Sequence, residues 1–312
     1  MTKHAITGAF GFTGRYIARR LIDKGIEVIN LTNSPERVNP LGQAVSIRPL
    51  DFENPKQLVE SLIGVSVLYN TYWVRFNHKL FNFNRAIENT LVLFDSARKA
   101  SVARIVHVSI TNPSENSDLE YFRGKAIIEK ALEKSEISYA ILRPAVIFGA
   151  EDILINNIAW MIRKLPILGV FGDGQYRLQP IYVEDLAELA VNQGEKRESV
   201  IIDAIGPETF TYKELVIHLA NILGIEKPIV SIPPWLAYRL GLLLGLFVGD
   251  VVITQDEIKG LMDELLYVDS PPIGKTRLTE WAQQNRQSLG LKYASELRRR
   301  VDKHKAYTNL VK

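Results

Sequence analysis

Short apolar runs alternate along this chain with stretches whose apolar residues recur every three or four positions. HAIT at the start reads as a strand. The segment behind it carries Ile17, Leu21 and Ile22 on one face and stops at Gly25, as a helix does. EVINLTN, SIRPLDFEN and GVSVLYNTYW follow as apolar strands, and then comes a helix carrying Asn89. ARIVHVSI is a buried strand ending at Ser109, YFRGKAIIEKALEKS a helix, and SYAILRPAVIFG a single further strand. Strands alternating with helices predict an α/β protein with a Rossmann-type, doubly wound parallel sheet. After an insertion, QPIYVEDLAELAV and ESVIIDAIG return to that sheet. The expected division is a nucleotide domain of residues 1–152 plus about 179–206. A smaller, mostly helical substrate-side region would take about 153–178 plus 207–312.

Composition narrows the functional classes. The 312 residues are 46% hydrophobic and 23% charged, with a net charge of +3, ordinary values for a folded domain. No basic stripe interleaved with aromatics points to nucleic acid, and LRRR at 297–300 reads as a solvated helix face. The absence of cysteine excludes disulfides, thiolate catalysis and cysteine zinc sites, and no metal site is expected. The chain enters a strand and glycine turn at once, which predicts no signal peptide and a cytoplasmic protein.

The first chemical signal is the turn after the first strand, where Gly8, Gly11 and Gly14 stand behind Thr7. Small residues let a backbone approach a pyrophosphate, and the next helix offers free N–H groups and a positive dipole end. Thr7, Gly8, Phe10, Gly11, Phe12, Thr13, Gly14 and Arg15 are therefore the candidate phosphate contacts. The second strand ends in Thr32, Asn33 and Ser34, with Arg37 beyond and no acidic residue to grip the ribose hydroxyls. Hydroxyls and an arginine accommodate a 2′-phosphate, so NADP(H) is expected over NAD(H), with Arg15 a second arginine for that phosphate.

A tyrosine four residues before a lysine is weak evidence alone. With 12 tyrosines and 18 lysines in 312 residues, about 0.7 such pairs arise by chance. Tyr121 is the one tyrosine here with a lysine, Lys125, four positions on, which places both on one helical face.

TGAFGFTGR resembles the TGxxGxxG signature of the short-chain dehydrogenase/reductase superfamily. HVSI, YFRGKA, YAILRPAVIFG, NNIAW and QPIYVEDLA are together similar to an atypical branch of it. That branch includes the NAD(P)H-binding accessory subunit of respiratory complex I, its bacterial relatives and the NmrA-like proteins. The resemblance covers at least residues 3–206. It implies that Asp51, with Phe52, meets the adenine edge, and that Asn70 and Thr71 lie beside the cofactor. Pro144 joins the same binding set. It also implies Tyr121 as the proton-transfer residue and Lys125 as its cation and the holder of the nicotinamide ribose. Ser109, or Thr111 after it, would polarise the substrate oxygen, although an ungapped alignment puts Ile110 in that hydroxyl column. The motif continues to Glu129.

Three functions remain open. The first is an oxidoreductase acting on a carbonyl, alcohol or activated alkene of a small molecule. The second is an accessory subunit that holds NADPH without turnover, in a respiratory complex. The third and least favoured is a sugar-nucleotide epimerase or dehydratase. On the substrate side, Asn156, Asn157, Trp160 and Arg163 share a helix and read as packing. PPWLAYRLGLLLGLFVGDVVI (233–253) is the most apolar stretch, with only about ten uncharged residues between Arg239 and Asp250, too few to span a bilayer. The plain expectation is a buried helix. The sharper one is an apolar lid or peripheral membrane patch serving a lipid-like substrate.

Overall fold

A computed structural model describes residues 2–306. In chain order the elements begin β1 (Lys3–Thr7), α1 (Phe12–Asp23), β2 (Glu27–Thr32), β3 (Val45–Pro49), α2 (Pro55–Leu62), β4 (Val65–Asn70), α3 (Phe83–Lys99), β5 (Arg104–Val108), α4 (Glu120–Glu133) and β6 (Ser138–Pro144). They continue with β7 (Val146–Phe148), α5 (Leu154–Lys164), β8 (Leu168–Phe171), β9 (Arg177–Leu178), β10 (Pro180–Tyr182), α6 (Val183–Gly194) and β11 (Val200–Ala204). The remainder is β12 (Phe210–Thr211), α7 (Tyr212–Leu223), β13 (Ile229–Ile232), α8 (Pro234–Val248), α9 (Gln255–Met262), α10 (Leu278–Gln284) and α11 (Glu296–Val301).

Two compact units result, residues 1–143 with 186–203 and residues 144–185 with 204–312. In the first, seven strands run in the order β11-β6-β5-β4-β1-β2-β3, and the pairings from β3 through β6 are parallel. This is a Rossmann-type doubly wound sheet. Its order reverses between β1 and β4, where open α/β sheets leave a crevice at the carboxyl ends of the strands. The inner strands are buried on both faces and mostly apolar, as a sheet covered on both sides requires. Ile29, Leu31, Leu68 and Ile105 of the sheet share one core with Leu58 and Leu62 of α2, Leu93 of α3 and Ile128 of α4. Asn54 and Asn82 start α2 and α3 by accepting a hydrogen bond from the backbone N–H three residues on.

The segment SYAILRPAVIFG is two strands rather than one. Pro144 has no N–H to continue the ladder, and after Ala145 the chain enters a different sheet, in which Val146–Phe148 pairs with Pro180–Tyr182.

The second unit is assembled from small pairs: β7 with β10, β8 with β13, and β9 with β12. Around them α5, α7 and α10 bury Ile155, Ile158, Leu215, Leu219 and Trp281 in one cluster. The polar residues of α5 are structural. Asn157 exchanges hydrogen bonds with both backbone groups of Ala294 (2.8 and 2.9 Å), and Asn156 donates to the Lys292 carbonyl. Arg163 donates to the Leu289 and Arg286 carbonyls, while Trp160 packs edge-on to Tyr293.

Gly206 is the tightest point of this unit, since a Cβ there would lie 1.8 Å from the Pro180 carbonyl oxygen. Main chain cannot turn aside as a side chain does. Gly206→Ala is expected to lower unfolding stability by roughly 1–3 kcal/mol in chemical denaturation, and an unchanged midpoint would contradict this packing.

Candidate functional site

At the carboxyl end of β1 the chain turns at Gly8, whose φ of 73° is the left-handed region. Gly11 N–H donates to the Gly8 carbonyl (2.8 Å), and Gly11 is the N-cap of α1 without any side-chain cap. A Cβ on Gly14 would lie 2.3 Å from that same carbonyl oxygen. The helix therefore begins directly against the turn, with the N–H groups of its first turn left uncapped and no acidic side chain there. An uncapped positive helix end behind a glycine cradle fits a pyrophosphate. Phe10 of the turn and Arg15 of α1 are buried, Phe12 lies edge-on to Tyr16, and Thr13 is half-buried.

Two side chains fix this turn to the sheet. Asn30 of β2, fully buried, accepts from the Ala9 N–H (2.8 Å). Thr7, a predicted phosphate contact, has its hydroxyl engaged within the protein. Its buried hydroxyl donates to Asn70 Oδ1 (3.0 Å) and accepts from the N–H groups of Thr71 (2.8 Å) and Tyr72 (3.1 Å). Thr71 Oγ1 in turn donates to the Thr7 carbonyl (2.6 Å). Asn70 is completed by His107, which accepts at Nδ1 from Asn70 Nδ2 (3.1 Å). Burial, then the nearby Lys125 charge, push the His107 pKa well below its ordinary value, so this imidazole is neutral. The knot locks the carboxyl ends of β1 and β4 together at the crevice.

Beyond β2, Thr32 Oγ1 accepts from Ser34 N–H (3.0 Å), Ser34 Oγ donates to Asn33 Oδ1 (3.1 Å), and Arg37 N–H closes back on the Ser34 carbonyl (3.1 Å). The loop is a compact hydroxyl and amide turn, with Asn33 exposed and Arg37 half-buried. Beyond β3, Asp51 accepts from Glu53 N–H (3.0 Å), and Phe52 packs on Tyr72 with ring centroids 5.0 Å apart. The Tyr72 hydroxyl accepts from Asn89 (2.8 Å). Pro144 closes β6 and is buried, at the first position of the second unit.

The tyrosine and lysine open α4. Lys125 is only 2% exposed. Its Nζ donates to the Val108 carbonyl (2.8 Å) and lies 4.7 Å from the centre of the Trp73 ring. Burial lowers its pKa to about 7, with Glu129 opposing the shift. Glu129 is itself buried and engaged by Arg143 Nε at 3.1 Å to both carboxylate oxygens. Tyr121 is half-buried among aromatics, edge-on to Trp73 and to Phe83 with centroids 5.9 Å away. Ser109 follows the Val108 that Lys125 grips. Its hydroxyl is buried without a hydrogen-bond partner. Ile110 and Thr111 are buried beside it.

Trp73 and Asn30 are the residues the sequence analysis missed. Trp73 lies against Gly124, where a Cβ would meet its ring at 3.0 Å, and touches both Tyr121 and Lys125. The available signal was its place three residues beyond Asn70, at the carboxyl end of β4. Asn30 was visible as one amide inside the apolar run of β2.

The profile of the NAD dependent epimerase/dehydratase family matches residues 4–202, and the chain belongs to that family. Its first unit is the family's NAD(P)-binding Rossmann fold. The mitochondrial NADH dehydrogenase [ubiquinone] 1 alpha subcomplex subunit 9 of Arabidopsis thaliana is 25% identical over 240 residues, covering 73% of this chain. The chain spans 60% of that protein's length. A ceramide reductase of Caulobacter vibrioides is 25% identical over 233 residues, 73% of each protein. In fold, the chain is similar to the NADPH-dependent quinone oxidoreductase of Escherichia coli in complex with NADPH. The TM-score is 0.71 at 19% identity, over 90% of this chain and 99% of the other.

The buried ammonium makes a signed prediction. Lys125 has a folded pKa of about 7 against an ordinary 10.5, so between those values the unfolded chain binds the extra proton and stability rises with pH. The burial penalty is fully present below about pH 7. Wild type should therefore gain on Lys125→Met from pH 6.5 to 9, by up to about 1.4 kcal/mol per pH unit. Urea unfolding at a series of pH values checks this, and parallel profiles for the two proteins would contradict it.

Proposed function

We propose that this member of the NAD dependent epimerase/dehydratase family is an NADP(H)-dependent oxidoreductase that reduces a carbonyl or activated alkene, on an apolar substrate. The observation that carries the reading is the Lys125 Nζ to Val108 carbonyl contact (2.8 Å). It ties the helix bearing Tyr121 to the strand end bearing the unpartnered hydroxyl of Ser109. NADP(H) supplies the hydride when bound. Gly8, Gly11 and Gly14 admit its pyrophosphate, and Arg37 with Thr32 and Ser34 receives the 2′-phosphate. For a carbonyl substrate, Ser109 Oγ donates a hydrogen bond to the reacting oxygen, and Tyr121 passes its phenolic proton to that oxygen. The Lys125 cation favours the phenolate left behind. The aromatic surroundings of Tyr121, with Trp73, Phe83 and Phe122, suit an apolar substrate better than a sugar nucleotide.

A second reading is favoured by one specific feature. It is the 25% identity over 240 residues to the Arabidopsis NADH dehydrogenase [ubiquinone] 1 alpha subcomplex subunit 9, a likeness that suits a nucleotide-holding accessory subunit of a respiratory complex.

The two readings separate in one assay, NADPH oxidation over a panel of quinones, aldehydes and ketones with wild type and Tyr121→Phe. The oxidoreductase reading expects turnover that falls by roughly 10²–10⁴-fold in Tyr121→Phe while NADPH binding is retained. Tight NADPH binding with no turnover on any member supports the accessory role, and turnover indifferent to Tyr121→Phe removes Tyr121 from the chemistry. Cofactor choice is tested separately. Arg37→Ala is expected to weaken NADPH binding by roughly tenfold and leave NADH binding unchanged, whereas equal effects on both would overturn the assignment of Arg37.

A further inference from the structure

Helix α8 of the second unit is built inside out. Its small residues face the protein. Ala237 and Gly245 are buried, a Cβ on Gly241 would lie 2.9 Å from Ile253, and one on Gly245 2.7 Å from the Asp250 carbonyl oxygen. Its large apolar residues face outward. Leu246 is 83% exposed, Phe247 88% and Trp235 67%, with Leu240, Leu242 and Leu243 exposed beside them. At about 100° per residue these six side chains fall within an arc of roughly 160°. An apolar arc of this kind, held rigidly by a close-packed back, is a binding surface.

The charge on the face selects the occupant. Between Pro234 and Gly249 the only charged residue is Arg239. It is exposed, and it projects from the middle of the apolar arc. A two-fold dimer through this face would bury Arg239 near its own mate with no carboxylate on the arc to neutralise either, a strongly unfavourable arrangement. At a phospholipid surface the same residue is compatible. Its stem lies along the apolar side chains while the guanidinium reaches a headgroup phosphate, and a tryptophan at the rim suits the interface. The 15 residues of α8 rise about 22 Å, short of the roughly 30 Å of a hydrocarbon core. Among the described residues no helix is long and apolar enough to cross a membrane.

We propose that α8 is a membrane-surface anchor, lying in the plane of a phospholipid bilayer with Trp235, Leu242, Leu243, Leu246 and Phe247 inserted and Arg239 on a phosphate. The anchor does not rest on the nucleotide chemistry, so its failure would leave the cofactor reading untouched. The test is flotation of the full chain with vesicles of phosphatidylcholine, alone and with one-third phosphatidylglycerol. Wild type floats with the vesicles, more so with the anionic lipid. Leu246→Glu/Phe247→Glu lowers the bound fraction by roughly tenfold or more, with an unchanged thermal melt because both residues are exposed. Arg239→Glu removes the preference for the anionic vesicles. Wild type that stays below the vesicles, or a double variant that floats as well as wild type, overturns the proposal. So does a dimer in sedimentation velocity that the double substitution dissolves without any flotation of wild type, which would assign the face to a second copy.

Discussion

Gly14 stands where any side-chain carbon would lie 2.3 Å from the carbonyl oxygen of Gly8, and that approach sets the geometry of the whole nucleotide end of the first unit. Because α1 starts this close to β1, its uncapped N–H groups point into the crevice where the strand order reverses. The turn is held in place from below. Asn30 takes the Ala9 N–H from β2, and Thr7 with Asn70 binds β1 to β4 through a hydroxyl that donates once and accepts twice. The hydroxyl of Thr7, both side-chain polar atoms of Asn70 and the amide oxygen of Asn30 are hydrogen-bonded within the protein, which replaces the water they lost on burial and ties the two strand ends to the turn.

The second constraint is electrostatic. An ammonium as buried as Lys125 is costly unless it is compensated. Its compensation is a carbonyl, an aromatic face and the field of Glu129. The balance leaves the proton loosely held near neutrality, unlike that of an exposed lysine. A cation of this kind can support a phenolate on Tyr121, and it adds to the burial that lowers the His107 pKa. The same few residues thus tie strand pairing, the position of α4 and the protonation of the site to one another.

The sequence made the first unit legible because its signals are local. A glycine at positive φ, helix faces with a period near 3.6, and strands covered on both sides each leave a mark within a dozen residues. Tyr121, Lys125 and Ser109 stood out as candidates by order along the chain, and the structure brings Lys125 Nζ to the Val108 carbonyl next to Ser109. What was not legible depended on contacts between distant segments. Trp73 matters because β4 delivers it onto Gly124, some fifty positions on, and the role of Thr7 as a strand tie emerges only once β4 lies beside it. SYAILRPAVIFG looked continuous because the hydrogen bonds that divide it come from Pro180–Tyr182. Helix α8 was the hardest case. A helix apolar all round has no polar stripe to say which side is outside, so the expectation of burial failed where small residues turned inward and large ones outward.

Nucleotide and lipid would thus meet different units of one chain, and the nucleotide claim is the one on which the functional reading stands. Isothermal titration of the purified chain with NADPH tests it most directly, with Gly14→Ala alongside. The account predicts one NADPH bound per wild-type chain, and loss of that binding in a Gly14→Ala protein that still folds. A wild-type chain that takes up no NADPH, or a Gly14→Ala chain that binds it equally well, would contradict it.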